Sequence, residues 1–104
     1  MRWRVVYTAS AARDIRSIFR YISDRLFAPD SARRIAREII YGIESLENMP
    51  ERHRLMTDEP WQSLKVRLFP VGNYLVLYTT NEKSGTVYVL RIVYAKINLR
   101  NMGK

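Results

Sequence analysis

The sequence has no cysteine and a single histidine, His53. The first absence excludes a disulfide framework and any thiolate metal site, and the second removes the usual imidazole clusters. No metal or cofactor is expected, and the composition suits a reducing cytoplasm. Long apolar runs are missing too. The opening MRWRVVYTAS is too polar for a signal peptide, and no stretch approaches the roughly 20 apolar residues that cross a bilayer. The protein is expected to be soluble and unexported, without a membrane partner. Acidic residues are scarce beside basic ones, 10 against 18, leaving a formal charge of +8. On 104 residues, expected to form one domain over 1–104, that charge attracts polyanions or an acidic protein. No internal repeat, low-complexity segment or linker divides the chain.

Trp3, Val5 and Tyr7 alternate with Arg2, Arg4 and Val6, the period of a strand with one buried face, ending near Thr8. Thr8 is placed to cap a helix from Ala9 to Leu26, whose apolar stripe is Ala11, Ile15, Ile18, Phe19, Ile22 and Leu26. Arg13, Arg16 and Arg20 line another side of it as a solvent- or partner-facing surface. Pro29 suits the first turn of a second helix, which carries Ala32, Ile35, Ala36, Ile39, Ile43 and Leu46 inward and ends near Asn48. Gly42 falls where a side chain would hinder close approach of a neighbour. Residues 49–63, MPERHRLMTDEPWQS, read as a long loop with at most one helical turn, and Trp61 is expected to close it over the core. Three strand-like runs follow, LKVRLF, NYLVLYTT and TVYVLRIVY, separated by turn signals at Pro70–Gly72 and Asn81–Gly85. The order strand, helix, helix, three strands predicts an α+β domain, a helical hairpin packed on a mainly antiparallel sheet.

That order, with Ala11, Asp14, Ile15, Ile18, Tyr21 and Ile22 in the first helix and the segments MPERHRLMTDEPW, PVGNYLVLY and VLRIVY, resembles the RelE/ParE toxin superfamily. The likeness is strongest to the branch labelled plasmid-stabilisation proteins and runs from Val5 to Leu99. It implies the toxin of a type II toxin–antitoxin system, neutralised by a cognate antitoxin whose extended or helical tail wraps it. Members of the superfamily divide between ribosome-dependent mRNA cleavage and inhibition of DNA gyrase.

RNA cleavage by the 2′-hydroxyl needs a base, a cation for the phosphate's developing charge and an acid for the leaving oxygen. Arg67, Arg91 and Tyr94 are the candidate catalytic residues, and Lys65, Lys96, Arg52 and Arg54 the candidate nucleic-acid contacts. Alternation places Lys65 and Arg67 on one face of the second strand. Tyr94 and Lys96 fall at the end of the fourth, so a meander is expected to gather these groups into one concave patch. Arg91, a charge inside an apolar strand, calls for a partner or a purpose; the plainer reading is an ion pair beneath the sheet. Tyr94 reads equally as aromatic packing, and Lys65 with Arg67 as a solvated strand face. Two neighbouring cations, Arg52 and Arg54, are expected to lower the pKa of His53, which makes it a conceivable base.

The sequence also departs from the superfamily. Leu75 follows Tyr74 where RelE-type nucleases carry arginine, and Ile97 and Asn98 stand where many members of the branch carry an Arg–Asp pair. An apolar side chain does not stabilise phosphate charge, so these departures count against standard RelE-type cleavage. The +8 charge and the expected gathering of Arg, Lys and Tyr at the sheet favour a translation-directed endoribonuclease acting on mRNA at the ribosome; the alternatives are a non-catalytic gyrase inhibitor and a detoxified, antitoxin-binding corepressor.

Overall fold

The computed structural model describes residues 2–96; the departures at Ile97 and Asn98, and the tail through Lys104, lie outside the described residues. Strand β1 spans Arg4–Tyr7, helix α1 Ala9–Arg20, helix α2 Pro29–Glu44, and strands β2, β3 and β4 span Arg67–Val71, Tyr74–Asn81 and Thr86–Tyr94. The sheet order is β1-β4-β3-β2, antiparallel through β2–β3–β4, with β1 joined in parallel to β4. This is the expected α+β fold. The parallel pairing follows from the hairpin, which carries the chain across one face of the sheet before it returns.

Each sheet face has its own core. On the helical side Ala11, Ile39, Ile43 and Leu46 meet Val76, Tyr78, Val87, Val89 and Ile92. Ile39 and Ile43 are essentially inaccessible, and burying each contributes on the order of 1.5–3 kcal/mol. On the other side the long loop folds over Val66, Leu68, Leu77 and Val93, and Trp61 and Met56 seal it, as expected for Trp61. At Gly42 a Cβ would lie 3.0 Å from Val71 Cγ2, so α2 crosses β2 at a distance only glycine accommodates without adjustment.

Several boundaries differ from those the sequence predicts: α2 gives way at Glu44 to a 3-10 turn, Ser45–Glu47, short of the expected Asn48, and β3 is shifted by one residue; three further differences bear on the site. The first helix stops at Arg20 and continues as one π-helical turn, Tyr21–Arg25. The wider turn puts Leu26 out of phase with the apolar stripe, and Leu26 is exposed rather than buried. Strand β2 starts at Arg67, not at Leu64, because Lys65 adopts a left-handed conformation (φ 54°) that ends the preceding turn. Pro70 belongs to this strand rather than to the turn. The Leu68 N–H points away from β3 to the Arg54 carbonyl, 3.0 Å away, so two residues on Pro70 presents its missing donor to the same outer edge.

Candidate functional site

One polar node lies where β1 ends. Tyr7 pairs with Val89, and the chain then turns into α1, leaving the following residues of β4 without a strand on that side. The Thr8 hydroxyl accepts from the Ala11 N–H at 3.2 Å, capping α1 as its sequence position predicts, and donates to the Val89 carbonyl at 2.9 Å. One turn on, Asp14 reaches the open edge. Its Oδ2 accepts from the Ile92 N–H at 2.9 Å and from Arg91 Nε at 2.8 Å, and its Oδ1 accepts from Arg91 Nη2 at 3.2 Å. The carboxylate thus replaces a missing strand partner and holds the guanidinium in a fork. The Asp14 hydrogen bond raises the Arg91 pKa further above its already high value. A register shift at Leu77/Tyr78 sets Arg91 opposite Leu77. The plain reading of Arg91, an ion pair with an acidic residue, describes what the structure holds.

A second node fastens the long loop. Arg67 Nη1 donates to the carbonyls of Glu51 (3.0 Å) and His53 (2.7 Å), and Nη2 lies 3.7 Å from the Glu51 carboxylate. Arg52 donates to the Ser45, Asn48 and Met49 carbonyls, closing the C-terminal end of the α2 segment, and its guanidinium lies 6.0 Å from the Phe69 ring centre. The Tyr78 hydroxyl donates to the Pro50 carbonyl, and burial pushes its pKa up to about 12. His53 stacks on Phe69 with ring centres 4.1 Å apart, its Nε2 buried without a hydrogen-bond partner. Burial lowers its pKa first, then Arg52 and Arg67. The shift has the expected direction, but desolvation leads it, and Arg67 takes the part expected of Arg54.

The candidate residues do not gather into one patch: Arg91 and Tyr94 share the wall of one groove, and Arg67 stands apart from them. Arg67 is opposite Tyr78, and Tyr94 is opposite Tyr74. Two strand spacings and four residues separate them, about 16 Å between Cα atoms. Arg67 is engaged by the loop and Arg91 by α1. Lys65, expected to share a strand face with Arg67, instead sits exposed in the turn before β2. Arg54 and Lys96 are also exposed, and Arg52 is committed to the end of α2. Tyr94 packs edge-to-face on Tyr74, ring centres 5.6 Å apart. Burial raises the Tyr74 pKa, with Tyr94 and Tyr21 adding to the shift, which makes Tyr74 a poorer proton donor near neutrality. Among the described residues no group of three or more His, Asp or Glu side chains is placed to hold a metal, and no helix is long and apolar enough to cross a membrane.

What the structure does assemble is a groove of about 750 Å³ between the hairpin and the open edge of β4. Ile18, Tyr21, Leu26 and Ile35 line it from the helical side, Tyr74 and Tyr94 from the sheet, with the Asp14–Arg91 pair also in its wall. Tyr21, Leu26 and Tyr94 are substantially exposed there. The sequence pattern assigned Leu26 to the core and Tyr21 only to a family motif; their common face depends on the π turn, which periodicity does not reveal.

Comparison with known proteins gives a consistent result. A family model described as the ParE toxin of the type II toxin–antitoxin system parDE matches residues 5–99. The fold resembles a chain of the chromosomal ParDE toxin–antitoxin system of P. aeruginosa, with TM-score 0.74 and 18% identity, covering 90% of this chain and 97% of that one. It also resembles a chain of the RelBE2 toxin–antitoxin complex of Mycobacterium tuberculosis (TM-score 0.68, 22% identity, 90% and 99% covered). A third likeness is to the archaeal RelE–RelB complex of Pyrococcus horikoshii (TM-score 0.57, 17% identity, 94% and 100% covered). At such identities these structures speak for the fold. No curated protein matches the sequence.

Proposed function

The chain belongs to the ParE toxin family of type II toxin–antitoxin systems, and from that premise we propose that it arrests growth by binding DNA gyrase without catalysis, under the control of a cognate antitoxin. The observation that carries this reading is the separation of Arg67 from Arg91 and Tyr94, and the engagement of each arginine by its own partners. Phosphate cleavage needs base, cation and acid around one reacting phosphate, within hydrogen-bond reach. Here Arg67 is held by the loop away from the other two, and Arg91, which shares the groove wall with Tyr94, is taken up by Asp14 while the tyrosine packs on Tyr74. Leu75, half-buried on β3, adds no cation. Endoribonuclease activity on the ribosome therefore has little support from the geometry, and the exposed Arg54, Lys65 and Lys96 remain as contacts for a partner's acidic surface.

The groove is the proposed seat of the antitoxin. Its apolar wall and exposed aromatic rim suit an amphipathic segment that buries side chains there. The toxin–antitoxin complexes among the similar folds support a cognate antitoxin as the partner.

The test is a supercoiling assay with purified gyrase, run beside mapping of new RNA 5′ ends after brief induction in bacteria. Inhibited supercoiling and no new ends are the expected pair. Cuts at a fixed position within translated codons would overturn the reading in favour of a ribosome-dependent nuclease. Neither effect, with antitoxin binding retained, would identify a detoxified corepressor.

A further inference from the structure

The tip of the helical hairpin carries a feature that the groove does not use. After the π turn the chain passes through Leu26, Phe27, Ala28 and Pro29, four consecutive residues without a polar side chain. Phe27 is 86% exposed, the most exposed of the large apolar residues described, and has φ 53°. It occupies the left-handed position just past the end of a helix, where glycine is the usual residue because a Cβ is strained there. Both sides of it are fixed. The Leu26 N–H donates to the Tyr21 carbonyl at 3.2 Å, the Ala28 N–H to the Ile22 carbonyl at 3.1 Å, and Ala32 to Ala28 at 2.9 Å.

Exposure and strain here act in the same direction. Folding gains no burial from the Phe27 ring and tolerates an unfavourable backbone to keep it in place. Glycine would relieve the strain and remove the apolar surface together. An aromatic side chain on a rigid turn loses little entropy on docking, which is what an interface anchor requires. The neighbours select the partner's chemistry: Leu26, Ala28 and Pro29 offer no donor or acceptor side chain to read a base, while Arg20 and Arg25 are exposed beside them with one exposed carboxylate, Asp24, and Asp30 is paired to Arg33, so the tip stays net positive.

We propose that the hairpin tip is the element by which this toxin engages its cellular target. Phe27 inserts into an apolar pocket on a protein partner, with an acidic group on that partner facing Arg25. The inference deepens the proposed function by placing target contact outside the antitoxin groove, whose wall includes Leu26 but not Phe27.

The experiment compares the full-length wild type with Phe27→Gly and Phe27→Asn, each able to take the left-handed conformation. Five readouts are followed: melting temperature, affinity for the antitoxin, growth arrest on induction, gyrase supercoiling, and binding of a single-stranded RNA oligonucleotide. Both variants are expected to melt no lower than wild type and to hold the antitoxin with unchanged affinity. Their growth arrest should weaken at least about tenfold, as loss of a central aromatic anchor does, and Phe27→Trp should restore it. Full arrest by Phe27→Gly would overturn the proposal, as would a wild type that arrests no growth. Loss of antitoxin affinity would assign the tip to that interface instead, and loss confined to single-stranded RNA binding would make Phe27 a base-stacking residue; either result overturns the inference. If arrest depends on Phe27 while wild type leaves supercoiling untouched, the tip stands and the gyrase reading fails.

Discussion

His53 lies against Phe69 with Nε2 buried and unpartnered, between Arg52 and Arg67, while Glu51 faces Arg67 and the Tyr78 ring meets it edge-on. A proton on that ring would add a cation beside two others, which is why its pKa falls below the usual 6.5. As pH falls through about 6.5, the unfolded chain takes up a proton that the folded chain refuses, so stability declines until the folded group itself titrates. Melting temperature should therefore drop between about pH 7 and 5.5, and His53→Phe, which keeps the stack without the nitrogen, should flatten that part of the curve. An unchanged slope in the variant would place the titrating group elsewhere. Arg91 gives a second residue-scale test. Asp14→Ala removes the acceptor for both Arg91 and the Ile92 N–H, whereas Arg91→Ala leaves Asp14 with the backbone donor. The aspartate change should cost more, about 1–3 kcal/mol for a partly exposed pair. A double-mutant cycle by urea denaturation should show coupling of about 0.5–3 kcal/mol. The sequence made Arg91 conspicuous, a charge within an apolar strand, but its partner lies 77 positions away. Only the ending of β1 at Tyr7 explains why Asp14 arrives there.

At the scale of elements, periodicity carried the prediction wherever one face of a helix or strand meets one core. It located β4 at its observed ends, found α1 and α2, and identified Thr8 as a cap. It missed what depends on a single backbone conformation: the π turn after Arg20, the left-handed Lys65 and the open edge that lets Pro70 enter β2. The left-handed Lys65 dissolved the expected pairing of Lys65 with Arg67 on one strand face, and with it the concave patch. Gly42 was legible because its spacing put it on the packed side of α2. Its measure is now Val71 Cγ2, 3.0 Å from where a Cβ would stand. Gly42→Val should destabilise the fold by about 1–3 kcal/mol through overpacking. Adding Val71→Ala should recover part of that loss in the same denaturation experiment. Recovery by Leu75→Ala instead would mean that α2 does not rest on β2 at this point.

For the whole molecule, the two sheet faces divide the labour. One face is closed by the loop through Trp61 and Met56, while Arg52, Arg67 and Tyr78 fasten the first residues of that loop beside the end of α2. The other carries the hairpin, and where β1 stops short the hairpin and β4 leave the apolar groove between them. The net charge of +8 should speed encounter with an acidic antitoxin, and association should slow as salt rises while dissociation changes less. Tyr94 tests whether the groove holds the complex once formed. Its side chain is 40% exposed, lines the groove and packs on Tyr74 from outside the two cores, so Tyr94→Glu should preserve the fold. A carboxylate buried under an apolar partner lacks compensation, and the variant should lose at least about tenfold in antitoxin affinity. Cells expressing it together with the antitoxin should stop growing, because the toxin escapes while the tip remains intact. If the antitoxin still neutralises Tyr94→Glu and the variant arrests growth poorly when expressed alone, then Tyr94 faces the target, and the division between groove and tip is drawn in the wrong place.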